Sequence, residues 1–280
     1  MSLRTPAVAG TFYPGTPDEL RRAVQEALAL SEGARVARVA RVEGAPREKA
    51  LAAIVPHAGY VYSGRVAGAV FGRLELPRDV VLLCFSHRGV GKEFAIWGEG
   101  AWRTPLGDVP VNAELARRLK DAFLPAEFDE SGHLAEHSGE VQLPFLQAVR
   151  PDVRIVPVAL SVALDDRSFA QLQAFGRALS RAGEDFLVVA STDLNHYEDQ
   201  RSTARKDEAV IRAIERLDEA AVREAIVREQ VSMCGYAPTI ATISYAKAKG
   251  ATSARTIVHA TSGDASGDYD RVVGYVGMII

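Results

Sequence analysis

Three of the six histidines directly follow apolar runs of the kind that form buried strands. They are His57 after residues 50–55, His87 after residues 80–85, and His196 after residues 186–191. Neutral imidazole is a strong ligand for transition metals, and two imidazoles with one anionic group hold a divalent ion while leaving coordination positions open. A hydrogen bond at a strand end explains any one of these histidines, but three at equivalent places predict a metal-capable cleft.

The anionic group of this set is predicted to be Cys234. It lies in a polar turn just before a predicted helix, and a helix N-terminus lowers the pKa of a thiol, whose thiolate form ligates or attacks. The other cysteine, Cys84, lies within an apolar run and is expected to be inert core. With only two cysteines, no disulfide framework can form, which fits a reducing compartment.

A carboxylate and an imidazole share the turn after residues 186–191. Asp193 and His196 are suited to proton transfer, with Asp193 orienting the imidazole, although Asp193 could equally cap the turn. We therefore take His196 and Asp193 as the candidate catalytic pair.

Elements that alternate between apolar strands and amphipathic helices must position these residues. The first helix is predicted to begin at Thr16-Pro17-Asp18-Glu19 and to end near Glu32-Gly33. Further strands are predicted at residues 50–55, 79–85, 153–160, 186–191, 255–261 and 272–279, and further helices at residues 64–74, 113–122, 141–149, 168–182, 204–216, 219–229 and 238–249. The pattern predicts one α/β domain over residues 1–280, with a mostly parallel or mixed central sheet flanked by helices. Ligands of such sheets bind beyond the carboxyl ends of the strands.

Other polar stretches receive structural interpretations. The run His133 to Glu140 lacks the spacing of a zinc-binding helix and is expected to cap a helix or to line the rim of the cleft. His259 is interpreted as a strand side chain, and residues 262–268 as a turn. The arginines of residues 35–47 are interpreted as part of a solvated linker.

Composition excludes several classes of protein. With 280 residues, of which 48% are hydrophobic and 25% charged, the chain can bury a large core, which excludes disordered and fibrous classes. A net charge of -3 gives no positive field for a nucleic acid, so no nucleic-acid partner is expected. The apolar runs are too short to span a membrane, and the N-terminus lacks the apolar core of a secretory signal. We expect a cytoplasmic protein without a membrane partner.

Six ordered motifs resemble the Memo family, also called AmmeMemoRadiSam system protein B. The motifs span residues 6–14, 56–64, 104–111, 136–145, 191–197 and 234–236. This family is similar in fold to class III extradiol dioxygenases, which are non-haem iron enzymes, but has a cysteine where those enzymes use a carboxylate ligand. One departure is the segment Cys84-Phe85-Ser86-His87, where the family commonly has Gly-Pro-Ser/Asn-His.

The resemblance implies roles for individual residues. His57, His87 and Cys234 would bind the metal, which would be iron or copper, with zinc as a further candidate. His196 would be the acid/base histidine, and Asp193, Phe12 and Tyr62 would line the same pocket. The bacterial family name also implies a radical S-adenosylmethionine protein as a partner.

Three functions remain open at this point. The first is a metal-dependent redox protein, dioxygenase-like and of unknown substrate. The second is a non-catalytic module that binds a peptide or small molecule in the same cleft. The third is a hydrolase in which His196 activates Cys234 or Ser191, and it lacks a recognisable oxyanion signature.

Overall fold

A nine-stranded mixed sheet forms the centre of the computed structural model, which describes residues 2–29, 47–183 and 185–280. Its strands are β2 (Ala52–Val55), β3 (Asp79–Phe85), β4 (Phe94–Ile96), β7 (Glu127–Phe128), β8 (Arg154–Leu160), β9 (Phe186–Ser191), β10 (His196–Glu198), β11 (Arg255–Thr261) and β12 (Val272–Ile279). Their order is β10-β12-β2-β9-β3-β8-β4-β7, with β11 paired to β12. A second sheet contains β1 (Leu3–Arg4), β5 (Ala101–Thr104) and β6 (Gly107–Pro110).

Helices cover both faces of the central sheet. They are α1 (Pro17–Ala29), α2 (Tyr60–Phe71), α3 (Ala113–Ala122), α4 (Leu143–Val149), α5 (Asp166–Leu179), α6 (Gln200–Glu215), α7 (Glu219–Glu229), α8 (Tyr236–Ala248) and α9 (Gly263–Ser266). Side chains of α1, α2 and α4 pack on one face of the sheet, and those of α3, α5, α6, α7 and α8 pack on the other. Alternate residues of β3 enter the two cores, Val81 and Leu83 on one side and Leu82 and Cys84 on the other. Burial on both faces explains why this strand is apolar throughout.

The four inner strands are parallel, so their carboxyl ends lie at one edge. Val55 of β2 pairs with Ser191 of β9, and Phe85 of β3 pairs with Leu160 of β8. The loops that follow β2, β3 and β9 therefore leave the sheet side by side, which is the arrangement expected of an α/β ligand site.

The predicted α/β fold with a mixed sheet flanked by helices is confirmed. The strands predicted at residues 79–85, 186–191, 255–261 and 272–279 have the predicted bounds. The sequence patterns missed β1, β4, β5, β6, β7 and β10, which are two to four residues long and too short to show a period. The end of the first helix near Glu32-Gly33 and the linker arginines Arg35, Arg38 and Arg41 lie outside the described residues. The single domain over residues 1–280 stays a prediction, because that span includes them.

Within the described parts of the chain, no helix is long and apolar enough to cross a membrane. The cytoplasmic location stays a prediction.

Candidate metal centre

Loops at the carboxyl edge of the sheet bring together the residues singled out from the sequence. His57 follows β2, His87 follows β3, and Asp193 follows β9. Cys234 comes from a more distant segment, directly before the N-cap residue Gly235 of α8. We call these four residues the deep wall of the cleft.

The ring of His57 is held in one tautomer by Ser191. Nδ1 of His57 lies 2.9 Å from Ser191 Oγ, whose single hydrogen is donated to the carbonyl oxygen of Ser138 at 2.7 Å. Ser191 Oγ must therefore accept a hydrogen from Nδ1, which leaves a lone pair on Nε2 of His57. Burial lowers the pKa of His57 well below its usual value, and the nearby His137 and His87 lower it further, so the ring is neutral.

Glu136 orients His87 in the same way. Oε1 of Glu136 accepts from Nδ1 of His87 at 2.9 Å, and Oε2 accepts from the backbone N–H of His87 at 2.7 Å. Burial raises the pKa of Glu136, but the hydrogen bonds that its carboxylate accepts, first of all from the His87 ring, prevail and hold this pKa well below its usual range. A carboxylate on Nδ1 leaves Nε2 of His87 as the ligating atom, as in many metal-bound histidines.

Cys234 lies next to His57, with 3.2 Å between Sγ and Nε2. The close approach depends on Gly235, since a Cβ there would collide with the Cβ of Thr192 and the carbonyl oxygen of Ser191. The expectation that the N-terminus of α8 lowers the pKa of this thiol is wrong. Burial raises the pKa of Cys234 well above its usual value, and the negative charge of Asp193 raises it further.

The donor atoms of His57, His87 and Cys234 all lie within 4.8 Å of one another. A tetrahedral ion with ordinary metal–sulfur and metal–nitrogen bonds would separate sulfur and nitrogen by about 3.6 Å, close to the 3.2 Å between Cys234 and His57. The three side chains therefore fit one ion, and the hydrogen bonds on Nδ1 of each histidine leave its Nε2 free to bind a metal.

Asp193 contacts the loop of His57. Its Oδ1 accepts from the backbone N–H of His57 at 2.8 Å, and its Oδ2 lies 4.0 Å from His57 Nε2. Burial raises the pKa of Asp193 to about 7, although the N–H of His57 opposes that rise. Since these contacts are with His57, none supports the prediction that Asp193 orients His196. The catalytic roles of Asp193 and His196 stay predictions.

His196 begins β10. The pairing of β10 with β12 shifts in register between His196 and Glu198, so Tyr197 lies at the irregularity. The backbone N–H of His196 donates to Ser232 Oγ at 2.7 Å, and its Nδ1 is buried with no hydrogen-bond partner among the described residues. Burial lowers the pKa of His196. Tyr197 has a φ of 63° and is 65% exposed, an uncommon backbone conformation for a tyrosine.

A cavity of about 570 Å³ opens in front of the deep wall. Phe12 and Tyr62 line it, together with His57, His87, Asp193 and His196, and the binding role of Phe12 and Tyr62 stays a prediction. Its outer end, which we call the mouth, is formed by Tyr197, Asp268 and Arg271. The described neighbours of Cys234 place it behind His57 and Asp193.

The run His133 to Glu140 contributes more than the expected capping or rim polarity. Glu136 holds His87, and His137 lines the cavity with its ring centroid 4.5 Å from that of His87. Glu140 is fully buried, and its carboxylate pairs with Arg4 at 2.7 Å and accepts from the hydroxyl of Tyr13 at 2.6 Å. These bonds fix the N-terminal segment that carries Phe12 to the cavity. A metal-bound histidine needs a hydrogen-bond partner on its second ring nitrogen, and a search for such a partner could have identified Glu136 from the sequence.

The structure also shows the surroundings of Cys84, His259 and Ser191, which the sequence analysis had interpreted. Cys84 is buried within β3, in agreement with an inert core residue. Nε2 of His259 on β11 lies 2.9 Å from Asp207 Oδ2, so this strand residue also bonds a buried carboxylate. Ser191 is fully buried and contacts His57 in place of His196, which removes the basis of the hydrolase hypothesis at that residue.

Comparisons with known proteins identify the family of the chain. The family profile described as Memo-like protein matches residues 4–279. A MEMO1 family protein of Thermotoga neapolitana is 43% identical, with 99% of each chain covered. Those of Aquifex aeolicus and Aeropyrum pernix are each 39% identical, covering 100% and 98% of this chain and 99% and 98% of theirs.

A solved structure of an uncharacterized protein from Escherichia coli K12 has a TM-score of 0.55 at 15% identity, covering 82% of this chain and 99% of that one. At this identity the likeness concerns the fold alone. From the profile match and the full-length relatives, the chain belongs to the Memo family.

Proposed function

We propose that this protein is a metal-dependent redox protein of dioxygenase-like type, in which His57, His87 and Cys234 hold one iron or copper ion. The observation that carries the proposal is the mutual approach of the three donor atoms within 4.8 Å. Similarity of the Memo family to class III extradiol dioxygenases, expected from the sequence motifs, points in the same direction. The substrate class is the subject of the next section.

The donor set argues for a redox-capable or thiophilic ion. Two neutral imidazoles and a thiolate form a softer set than two histidines and a carboxylate, and such a set suits copper and zinc as well as iron. Burial keeps Cys234 protonated without a nearby cation, so a divalent ion would supply the charge that stabilises its thiolate. When bound, an iron or copper ion would supply one-electron chemistry and an open position for a substrate.

The residues of the chain would orient that centre and handle protons. Ser191 and Glu136 fix the two histidine rings, so the lone pairs need no rearrangement before binding. His196 would exchange a proton with a bound molecule through the part of its ring that lines the cavity. Phe12 and Tyr62 would exclude water from one side of the bound molecule.

Metal content after anaerobic purification tests the proposal, together with titration by cobalt(II), iron(II) and copper. We expect about one ion per chain, with a thiolate-to-cobalt charge-transfer band in the near ultraviolet. His57→Ala and His87→Ala should lose uptake, because each removes one of the three donors, and Cys234→Ser should lose the band in particular.

The matched control is Cys84→Ala, which removes the other cysteine from the core and should keep both the ion and the band. Wild-type protein that takes up none of these ions would refute the proposal. Uptake without oxygen consumption towards any small phenolic compound would limit the function to metal binding.

The alternative is a non-catalytic module that binds a peptide or small molecule. The cavity walls favour it, since Phe12, Tyr62, Tyr197 and Tyr275 give aromatic surface whether or not a metal binds. Failure of metal uptake would make this alternative the leading function. A radical S-adenosylmethionine protein as partner remains an expectation from the family name.

A further inference from the structure

One side of the cavity is lined by a row of side chains from alternate residues in one extended segment. Arg271, directly before β12, and Val273 and Tyr275 within it alternate with residues that point away, and all three line the cavity. Four residues of extended chain cover about 13 Å, so the row runs from the mouth to the deep wall. It offers a cation at the mouth, an aliphatic surface in the middle and a buried phenol at the inner end.

The cation of this row, Arg271, is not paired with a carboxylate of the described residues. Within the described part of the chain, Arg271 forms no salt bridge, and its guanidinium lies over the Tyr197 ring, 5.7 Å from the centroid. Asp268 shares the mouth, but it is exposed and its Oδ1 accepts from the backbone N–H of Asp270 at 3.0 Å. A guanidinium held on an aromatic ring keeps its planar donor fork available to a carboxylate.

The loop before Arg271 is stabilised by its own hydrogen bonds. Ser262 Oγ accepts from the backbone N–H of Val273 at 3.0 Å, and Ser266 Oγ accepts from that of Asp268 at 3.1 Å. The predicted turn at residues 262–268 is thus a support for the mouth. Arg271 is held by the backbone around it, which leaves its side chain for recognition.

Tyr197 adds a second, independent sign of a binding surface at the mouth. Its φ of 63° costs free energy, and its ring is largely exposed at the cavity beside Arg271. Strained backbone of this kind persists where the surrounding structure imposes it and is frequent at ligand sites. Tyr62, which is 46% exposed, also lines the cavity.

We propose that the cleft binds a small organic carboxylate, with the carboxylate on Arg271 and an aromatic or aliphatic body along Val273 and Tyr275. The inner end of that body reaches the deep wall. We assign the reacting group of the ligand to this inner end, and that assignment rests on the proposed function. The contact between the carboxylate and Arg271 requires no metal.

The test compares two probes of nearly equal shape, 3-phenylpropionate and its uncharged amide, titrated calorimetrically into the full chain. The protein is used after dialysis against a chelator and again after loading with zinc. A charge-assisted hydrogen bond predicts that wild-type protein binds the carboxylate about 10- to 100-fold more tightly than the amide in both forms. Arg271→Gln should reduce this ratio to about two or less, because the amide side chain has no charge.

Two variants serve as controls. Arg22→Gln removes an exposed arginine on α1, and Arg88→Gln removes the exposed arginine that follows His87, which is not part of the cavity lining. Both should keep the wild-type ratio. A ratio that persists in Arg271→Gln, or that is lost in Arg88→Gln alone, would overturn the proposal, as would wild-type protein that fails to bind the carboxylate or prefers the amide.

Metal uptake by Arg271→Gln should equal that of wild type, which separates the two proposals. A chain that binds no metal but prefers the carboxylate would refute the metal-dependent function and keep this inference. The reverse result would refute this inference alone.

Discussion

At the deep wall of the cleft, His57 and His87 each have a fixed hydrogen-bond partner on Nδ1, whereas at the mouth the guanidinium of Arg271 lies over the Tyr197 ring and forms no salt bridge within the described residues. The partners at the deep wall, Ser191 and Glu136, are buried. Tyr197 at the mouth is largely exposed.

This difference separates two tasks of a binding site. Preorganised ligands need orienting partners, because a loosely held imidazole would lose conformational freedom on binding an ion. Groups that recognise a dissolved molecule must instead be accessible and unpaired before it arrives. If the two tasks are separate, a substitution in one region, or in the residues that support it, should leave ligand binding in the other region unchanged.

The largest expected effect concerns His133, which is buried in the segment that carries Glu136. Its Nε2–H donates to the carbonyl oxygen of Ala95 at 3.0 Å, between the rings of Trp97 and Trp102. Burial lowers the pKa of His133 to about 4. The unfolded chain therefore binds more protons than the folded one between about pH 6.5 and pH 4, and stability falls as the pH is lowered through this window.

The loss due to His133 alone should reach about 3 kcal/mol at pH 4, since each pKa unit corresponds to about 1.4 kcal/mol. His133→Gln, whose amide can donate to Ala95 but cannot titrate, should remove this part of the loss. Urea unfolding of both proteins at pH 7 and pH 4 measures it. Equal losses in both proteins would show that His133 is not kept neutral by the fold.

The second effect concerns Glu136 and the orientation of His87. Glu136→Gln replaces one acceptor oxygen by a donor, so it should disturb the hydrogen bond to Nδ1 and lower the affinity for zinc about 10- to 100-fold. Competition with a coloured chelator measures the affinity, and circular dichroism verifies that the variant is folded.

Glu130→Gln is the control, because Glu130 is exposed in the same segment and should leave zinc affinity unchanged. The preference for 3-phenylpropionate at the mouth should persist in both variants without metal. Unchanged zinc affinity in Glu136→Gln would mean that the deep wall does not depend on this carboxylate.

Regular, fully buried elements were predictable from the sequence, and short elements were not. The strands at residues 79–85 and 186–191 are apolar throughout because both faces are covered, and that signal needs no knowledge of partners. By contrast, β10 has three residues and exists because it pairs with β12, more than 70 positions away in the chain.

The candidate site divides in the same way. His57, His87 and His196 were predictable because they follow recognisable strands, and Cys234 because it precedes a recognisable helix and lies in one of the family motifs. Glu136 and Arg271 were not identified, since the first acts on a residue 49 positions away and the second matters only because β12 directs it into the cavity. The pKa of Cys234 was predicted in the wrong direction because a helix terminus is visible in sequence and burial is not.

The smallest expected effect concerns the strained backbone at the mouth. Asparagine tolerates the left-handed region better than tyrosine, so Tyr197→Asn should raise the free energy of unfolding by up to about 1 kcal/mol. It should also weaken the binding of 3-phenylpropionate, because the ring beside Arg271 is lost, and leave zinc affinity unchanged.

Gln230→Asn is the matched control, since Gln230 has a φ of 52° at the end of α7, away from the cavity lining. The control should gain similar stability without any change in probe binding. Reduced zinc affinity in Tyr197→Asn would show that the mouth and the deep wall are coupled. The two regions would then not have separate tasks.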